Sequence, residues 1–408
     1  MTPLIAGRTP WRGPSPLDHT ARTTRESRPD TIDTVARTIG ILSAGGDSPG
    51  LNAAIRAVGK AAQRAYGMEV LGFKDGFVGL MQNRYDHLDS DDLSGILTRG
   101  GTVLGTSRAK VHRMNVGSGK RVDGRKAMAD VVESHQLEAL VCLGGDGTAS
   151  NALLLAEVGV PVLTIPKTID NDVVGTDVTF GFDTAMTIAT EAIDRLHSTA
   201  HSHHRIMVVE LMGRGVGWLA LGAGLAGGAD VILIPEIPYD VAAIASSISA
   251  RKAAGSSFSI VAVAEGAISQ EAAAIRDSMI DRMESTESES ERISIKKRLK
   301  EFGQTRTGGT VQLASTLAGL TGLESRITIL GHVQRGGTPT PADRLLATRL
   351  GTACVDYIAE GIHGVLVAAR GERTEAVPLK KVAGQIKSVP LDHAWVNTAR
   401  RLSISLGD

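Results

Sequence analysis

"VCLGGDGTASNALLLA", residues 141 to 156, runs from an apolar β-rich segment through paired glycines into a helix-compatible segment. A strand that turns tightly into a helix aims unpaired backbone N–H groups at whatever sits above the turn, and phosphate suits that position. Asp146, directly after the glycines, adds a carboxylate able to hold Mg²⁺ beside phosphate oxygens. A second stretch, "LSAGGDSPGLNAAIRA" at 42 to 57, repeats the arrangement, with a helix expected from about Leu51. Neither is a Walker A loop, because no Gly-Lys-Ser/Thr closes it, and neither fits GxGxxG. Either turn alone is equally readable as a purely structural strand-to-helix connection. Two in one chain, each with an Asp after paired glycines, favour a phosphate site.

Outward from these turns the chain repeats the same rhythm. "TIGILSA", "EALVCLG", "VPVLTIP", "RIMVVEL", "DVILIPE", "FSIVAVAEG", "RITILGHV" and "HGVLVAAR" are short β-rich runs ending at glycine or a polar residue. Helix-compatible stretches such as "GLNAAIRAVGKAAQRA" and "TAMTIATEAIDRLHSTA" lie between several of them. Near-continuous apolar strands alternating with helices imply parallel sheets covered on both faces. The predicted fold is α/β: two Rossmann-like three-layer domains with mainly parallel sheets and an intervening active-site cleft.

The chain has 408 residues, 42% of them hydrophobic, enough for two domains with substantial cores. Its 44 acidic and 44 basic side chains balance, so nothing favours nucleic acid or an anionic membrane as partner. No apolar run approaches the roughly 20 residues of a membrane span. Cys142 and Cys354 lie in separate apolar contexts without a CxxC pair, as buried reduced thiols do, and a cytoplasmic location follows. Residues 1–36, rich in proline, threonine and arginine, are read as a mobile N-terminal extension. Residues 281–301, "DRMESTESESERISIKKRLKE", with acids early and bases late, are read as a solvated surface helix rather than a calmodulin or nucleic-acid target. His197, His201, His203 and His204 contain an i, i+4 pair, but no acidic or cysteine ligands accompany them for zinc.

"PKTIDND", residues 166 to 172, follows the apolar run "VPVLTI" and sets Asp170 and Asp172 one residue apart. Phosphoryl transfer to an alcohol needs a base near the hydroxyl, a cation on the phosphate oxygens and positive charge around the transferred group. The two aspartates can supply the first two; an N-cap or Asx-turn pair is the structural alternative.

Together these residues resemble the 6-phosphofructokinases, in particular the longer bacterial members, which include both ATP and pyrophosphate users. "GGDSPGLNAAIR", "GGDGT", "PKTIDNDVVGTDVTFGFDTA", "HRIMVVELMGRGVGWLA", "GGAD", "VAEG" and "RITILGHVQRGGTPTPADR" look like the family's signature stretches, in its order, from residue 39 to about 350. "GGDGT" alone also occurs in NAD kinases and lipid kinases; "TIDND" with "MGR" and "GHVQRGG" excludes them. The resemblance implies transfer of the γ-phosphoryl group of ATP to the 1-hydroxyl of fructose 6-phosphate, with Mg²⁺. Asp170 would take the proton from that hydroxyl, with Thr168 beside the transferred group. Asp146 would bind the metal, and Asp172 would support both metal and base. Gly46, Arg108, Ala109, Gly147, Thr148 and Ala149 would line the donor site with Asp146. Ile169, Met212, Gly213, Arg214 and Glu265 would contact the sugar, Arg214 also stabilising transition-state charge. The 6-phosphate would meet Arg205, Arg326, His332 and Arg335, with Val333 and Gln334 beside them. Arg205 and Arg326 look like contributions from a neighbouring subunit, which implies a homodimer or homotetramer with shared sites. The expected division is a donor domain of 37–180 plus 334–385 and a sugar-phosphate domain of 181–333 plus 386–408, with a charged helical insertion at 270–305.

Two positions bear on the donor. ATP users in the family typically carry Gly in "GGDG", whereas pyrophosphate users carry Asp there and Lys in "PKTIDND". Gly147 stands here with Lys167. ATP is the expected donor, because an added carboxylate excludes a nucleotide whereas an added lysine need only lie aside; the pyrophosphate-linked enzyme is the alternative. A catalytically silent sugar-phosphate sensor would lack Asp170 or Asp146. The basic effector site of regulated bacterial members looks dismantled: Ser256, Ser257 and Phe258 occupy its positions, although Arg56 and Asp230 remain.

Overall fold

The computed structural model describes residues 37–117, 119–304 and 309–408. The extension expected at 1–36 lies outside the described residues, as does Thr305 at the end of the expected insertion. β1 (Thr38–Ser43) leads through the first glycine turn into α1 (Leu51–Tyr66), followed by β2 (Glu69–Phe73), short α2 (Phe77–Met81) and β3 (Tyr85–His87). A small ribbon of β4 (Met114–Asn115) and β5 (Arg121–Val122) precedes α3 (Arg125–Ser134). β6 (Leu137–Gly144) passes through the second glycine turn into α4 (Asp146–Ala156), then β7 (Val162–Thr168) and β8 (Phe180–Gly181). Next come long α5 (Phe182–His203), β9 (Ile206–Leu211), α6 (Trp218–Ala226), β10 (Val231–Leu233), α7 (Val241–Ala253) and β11 (Ser259–Ala264). α8 (Gln270–Ser285), α9 (Glu289–Gln304) and α10 (Gly309–Thr321) precede β12 (Ser325–Ile329). A 3₁₀ turn at Gly331–Arg335, α11 (Pro341–Ala359), β13 (Val365–Arg370), β14 (Arg373–Pro378) and α12 (Ala394–Arg401) complete the chain.

These strands form two main sheets. The first has the order β14-β13-β7-β6-β1-β2-β3 with β8 on the end of β7, and the second the order β10-β11-β9-β12. All pairings of the second sheet are parallel, and the first is parallel except at its edges, where β3 and β14 run antiparallel to their neighbours. The α/β fold with mainly parallel sheets is the one read from the sequence. The eight apolar runs become β1, β6, β7 and β9 to β13.

Their continuous hydrophobicity has a simple cause, because both faces are covered. On β1, Ile39 and Ile41 pack into one core while Leu42 packs into another; on β6, Val141 and Leu143 face the first and Leu140 and Cys142 the second. The second sheet repeats this, with Val209 and Leu211 of β9 on one side and Ile206 and Val208 on the other. Both cysteines are buried and free. β12 differs: it is the edge of its sheet, and Ile329 at its end is 58% exposed.

α1 and α11 approach closely where Gly351 faces Ala54 and Ala57. A Cβ at Gly351 would lie 2.7 Å from the Ala57 Cβ and 3.1 Å from the Ala54 carbonyl oxygen, both carried on backbone that cannot swing aside. Gly351→Val should therefore cost about 1–3 kcal/mol through overpacking. The same change at Gly147, where a Cβ meets nothing within 4 Å, should stay within about 0.5 kcal/mol. Urea unfolding of both variants, followed by circular dichroism, measures the difference; equal midpoints would show that the helices can separate without penalty.

Candidate active site

The carboxyl ends of β1, β6 and β7 open onto one cleft of ≈ 490 Å³, the position where open α/β sheets bind ligands. Its walls include Gly46, Arg108, Ala109, Asp146, Gly147, Thr148, Thr168, Ile169, Asp170, Asp172 and Arg335, so residues far apart in sequence meet there. Gly144 is required for the second turn, because a Cβ on it would lie 2.0 Å from the Thr148 hydroxyl. Gly147, in the first turn of α4, projects into open space. Above the first turn, a Cβ on Gly46 would stand 2.9 Å from Arg335 Nη1 and 3.5 Å from Arg108 Nη2, so two guanidinium groups converge there. The cleft thus combines helix-start N–H groups with fixed cations, a setting for phosphate oxygens.

Opposite this cradle is the turn after β7. The Asp170 N–H donates to Thr168 Oγ1 at 3.1 Å, and the Thr179 hydroxyl donates to the Thr168 carbonyl at 2.7 Å. Asn171 has a left-handed backbone, φ 53°, which lets Asp170 and Asp172 on either side both face the cleft. One oxygen of each carboxylate, Oδ1, is buried without a hydrogen-bond partner. Burial raises the Asp170 pKa, with Arg335 opposing the shift. Burial, then the neighbouring charges of Asp170 and Asp146, push Asp172 up to about 6.

Lys167 does not lie aside toward the surface, as the sequence led us to expect. It is only 3% exposed, and its Nζ spans the cleft floor to donate to the Gly46 carbonyl at 2.5 Å. Burial, helped by Arg335, lowers its pKa to about 8. The reason is the pleat: position 167 on β7 points inward, between the two glycine turns.

A second cavity, of ≈ 540 Å³, gathers Glu210, Arg214 and Glu265 from the ends of β9 and β11. Buried Met212 and Gly213 precede Arg214, and the Gly266 N–H donates to the Gly213 carbonyl at 3.2 Å, which fixes this loop against the one after β11. The charged insertion is not a single solvated helix. It folds as the α8–α9 hairpin, buries Ile295, and lends Arg276, Ile280, Leu299 and Phe302 to the cavity wall. Most of its charges lie on the outer face, while Arg276 and several apolar residues turn inward.

The groups expected around a 6-phosphate are not all together in the protomer. Arg205 Nε donates to Glu324 Oε2 at 2.5 Å, and Arg326 pairs with the other oxygen of the same carboxylate. Neither arginine lines either cavity. His332 and Val333 are exposed, whereas Gln334 is fully buried and donates to the Gly331 carbonyl at 3.1 Å, holding the 3₁₀ turn. Arg335 turns back to the first cleft, 3.6 Å from Asp47.

A family model described as phosphofructokinase matches residues 38–358. The chain belongs to the phosphofructokinase family. The ATP-dependent 6-phosphofructokinase of Propionibacterium freudenreichii subsp. shermanii is 56% identical over 370 residues, covering 91% of this chain and 99% of its own. That of Spirochaeta thermophila is 50% identical over 375 residues, covering 91% and 98% respectively. The crystal structure of a pyrophosphate-dependent phosphofructokinase from Marinobacter aquaeolei superposes with a TM-score of 0.72 over 90% of this chain and 92% of its own; at 18% identity this is a likeness of fold.

In this phosphofructokinase Asp230 and Phe258, singled out around the expected effector site, engage nearby chain. Asp230 pairs with Arg251 at 2.5 Å and accepts the Ile260 N–H at 2.8 Å, while the Phe258 ring packs edge-on against His197 and His201. Sequence reading missed Asp47, Ser107, Lys110, His112 and Asn151 as cleft residues. The 107–112 loop has no apolar period to mark it. It is placed by contacts with distant elements: the Gly45 N–H donates to the Ser107 carbonyl at 2.9 Å, Asn151 Nδ2 donates to the Ala109 carbonyl at 3.0 Å, and Val111 is buried in the core.

The residues fit Mg²⁺. Among the described residues no three His, Cys or carboxylate groups converge into a protein-only cage, and Mg²⁺ is commonly held by one or two carboxylates completed by phosphate oxygens and water. Asp146 at the start of α4, with the partnerless oxygen of Asp172, offers donors of that kind.

The raised pKa of Asp172 has a definite sign for stability. Its folded value, about 6, exceeds the ordinary carboxylate value of 3.8, so the folded chain holds the proton more tightly and loses stability as pH rises through about 6. In EDTA at pH 7.5, Asp172→Asn should be more stable than the wild type by on the order of 2 kcal/mol, and the difference should vanish below about pH 4. Melting curves of both proteins across that range test this; a variant less stable than the wild type at pH 7.5 would contradict it.

Proposed function

We infer that this phosphofructokinase transfers the γ-phosphoryl group of ATP to the 1-hydroxyl of D-fructose 6-phosphate, giving fructose 1,6-bisphosphate and ADP. The observation that carries the mechanism is the pair of buried, partnerless carboxylate oxygens on Asp170 and Asp172, facing a cradle of helix-start N–H groups and guanidinium groups. Asp170 accepts the proton of the 1-hydroxyl as the new P–O bond forms, and its raised affinity for protons suits that task. Arg108, Arg335 and the start of α4 hold the phosphate chain in line, and Arg214 meets charge that develops at the transferred group. Mg²⁺, held by Asp146 with support from Asp172, would neutralise charge on the phosphate oxygens. The donor then belongs to the cleft of the first sheet and the sugar to the cavity beside the second, with Ile169, Met212, Gly213, Glu265 and His332 on the sugar side.

ATP as donor rests on two supports. The relatives at 56% and 50% identity are both named ATP-dependent, and Gly147 leaves open space where a side chain would meet the nucleotide's α-phosphate. Gly147→Asp should cut kcat/KM with ATP by at least about 100-fold, because a carboxylate buried against phosphate is both repelled and unpaired. Pyrophosphate, offered in parallel, should be affected less. A wild type that prefers pyrophosphate, or a variant with full ATP activity, would refute the donor assignment. Asp170→Asn should lower kcat about 10² to 10⁴-fold with sugar-phosphate binding retained; turnover near wild type at saturation would remove Asp170 from the base role.

We further propose a homo-oligomer with shared sites, in a reducing cytoplasm where Cys142 and Cys354 stay free; no described helix is long and apolar enough to cross a membrane. Arg205 and Arg326 gather on Glu324 beside the exposed edge strand β12, where they can serve a neighbour's sugar-phosphate site. Arg326→Ala should raise KM for fructose 6-phosphate about tenfold or more while leaving KM for ATP little changed. Mixed oligomers of Arg326→Ala and Asp170→Asn should recover activity, since some sites combine an intact base with an intact arginine. No recovery in verified mixed assemblies would mean that each subunit owns its whole site.

A further inference from the structure

Lys387 sits in the segment between β14 and α12, behind the catalytic turn. Its backbone N–H donates to the Asp172 carbonyl at 2.9 Å. Its ammonium donates to Asn171 Oδ1 at 3.1 Å, the Thr176 carbonyl at 3.1 Å and the Asp177 carbonyl at 3.0 Å, which uses all three of its N–H bonds. The Lys387 carbonyl in turn accepts the indole N–H of Trp218 at 2.8 Å, and the ammonium lies 5.5 Å from the centre of that ring. Trp218 opens α6, which packs on the second sheet. Two residues on, the Val389 N–H donates to Glu236 Oε1 at 2.9 Å, and that oxygen also accepts the Gly217 N–H at 3.0 Å.

What this lysine grips is the left-handed residue of the turn. Asparagine takes that conformation more readily than most non-glycine residues, and bonds to its side chain fix Asn171 there. While Asp170 and Asp172 face the donor cleft, Asn171 points to the opposite side, into a separate cavity of ≈ 770 Å³ that Trp218 also lines. There its side-chain oxygen has two donors, the Thr179 N–H at 3.2 Å and Lys387. A rotation of Asn171 out of the left-handed region would swing at least one of the two carboxylates away from the cleft.

We propose that Lys387 is a positioning residue for phosphoryl transfer: by clamping Asn171 and closing the turn on the carbonyls of Thr176 and Asp177, it aims Asp170 and Asp172 and ties them to Trp218 on α6. It touches no reacting atom. The clamp rests on the reading of Asp170 as the base, and makes the C-terminal segment part of the catalytic apparatus rather than a mere cover.

The test is a double-mutant cycle on the full chain, with kcat and both KM values measured for wild type, Lys387→Met, Asn171→Ala and the double variant. Lys387→Met should lower kcat about 10 to 100-fold with both KM values within about threefold, because aim is lost while binding surfaces remain. Asn171→Ala should lose a similar factor, and the double variant should be no worse than the poorer single one, since both remove one link. Lys387→Arg, which keeps the charge and several donors, should recover turnover to within about tenfold of wild type. A role in stability alone would lower the melting temperature and leave kcat per folded molecule intact. A folded Lys387→Met with kcat within about twofold of wild type, or losses that multiply in the double variant, overturns the clamp. If Lys387→Met does not fold, Asn171→Ala decides: about tenfold loss or more at unchanged KM supports the proposal, and unchanged kcat overturns it. Asp170→Asn runs alongside; if it retains most turnover, the base assignment fails instead.

Discussion

Two carboxylates held one residue apart in a largely buried turn dominate this structure. Asp170 and Asp172 each keep one oxygen without a partner, and each makes the other harder to ionise. Nothing about folding favours such a pair. The turn is held by bonds from distant elements: Thr179 to the Thr168 carbonyl, Lys387 to Asn171 and to the Asp172 carbonyl. The fold thus spends stability on two carboxylate oxygens that find no partner within the chain, a trade widely made at active sites.

Parallel sheets make that concentration of chemistry possible. Because β1, β6 and β7 run parallel, the loops after them emerge side by side at one edge of the sheet. The glycines then divide the work by geometry. Gly144 lets Thr148 approach the strand end, whereas Gly147 keeps the cleft clear. Lys167 ties the end of β7 to the first turn at the Gly46 carbonyl, a buried cation that offsets the acidic turn it precedes.

The second cavity is built differently, from one sheet, its loops and an inserted hairpin. Arg214 and Glu265 come from strand ends, and Arg276, Leu299 and Phe302 roof them. Arg205 and Arg326, by contrast, face outward on the exposed edge. Arg326 adds only a bond to the adjacent Ser325 carbonyl at 3.2 Å, and such half-exposed ion pairs contribute little to the stability of a protomer.

The sequence alone determined the repeating architecture, because strands covered on both faces read as near-continuous apolar runs: β1, β6, β7, β9 to β11 and β13 were legible on that ground, and β12 was read from its apolar run although it forms an edge. It also marked the two glycine turns, the acidic turn after β7, and the motifs that place the chain in its family. β3 and β14 were not legible, since short antiparallel edge strands carry polar residues on their open face. Nor was the α8–α9 hairpin, whose exposed charges outnumber the few apolar residues that turn inward. What only the tertiary structure decided are contacts between residues far apart in the chain: Lys167 across to Gly46, Arg335 over the first turn, Ser107 beside Gly45, and Lys387 beneath Asn171. A local pattern records which face of its own element a residue occupies. It holds no record of which distant backbone will come to lie against that face, and the direction of the two carboxylates depends on that.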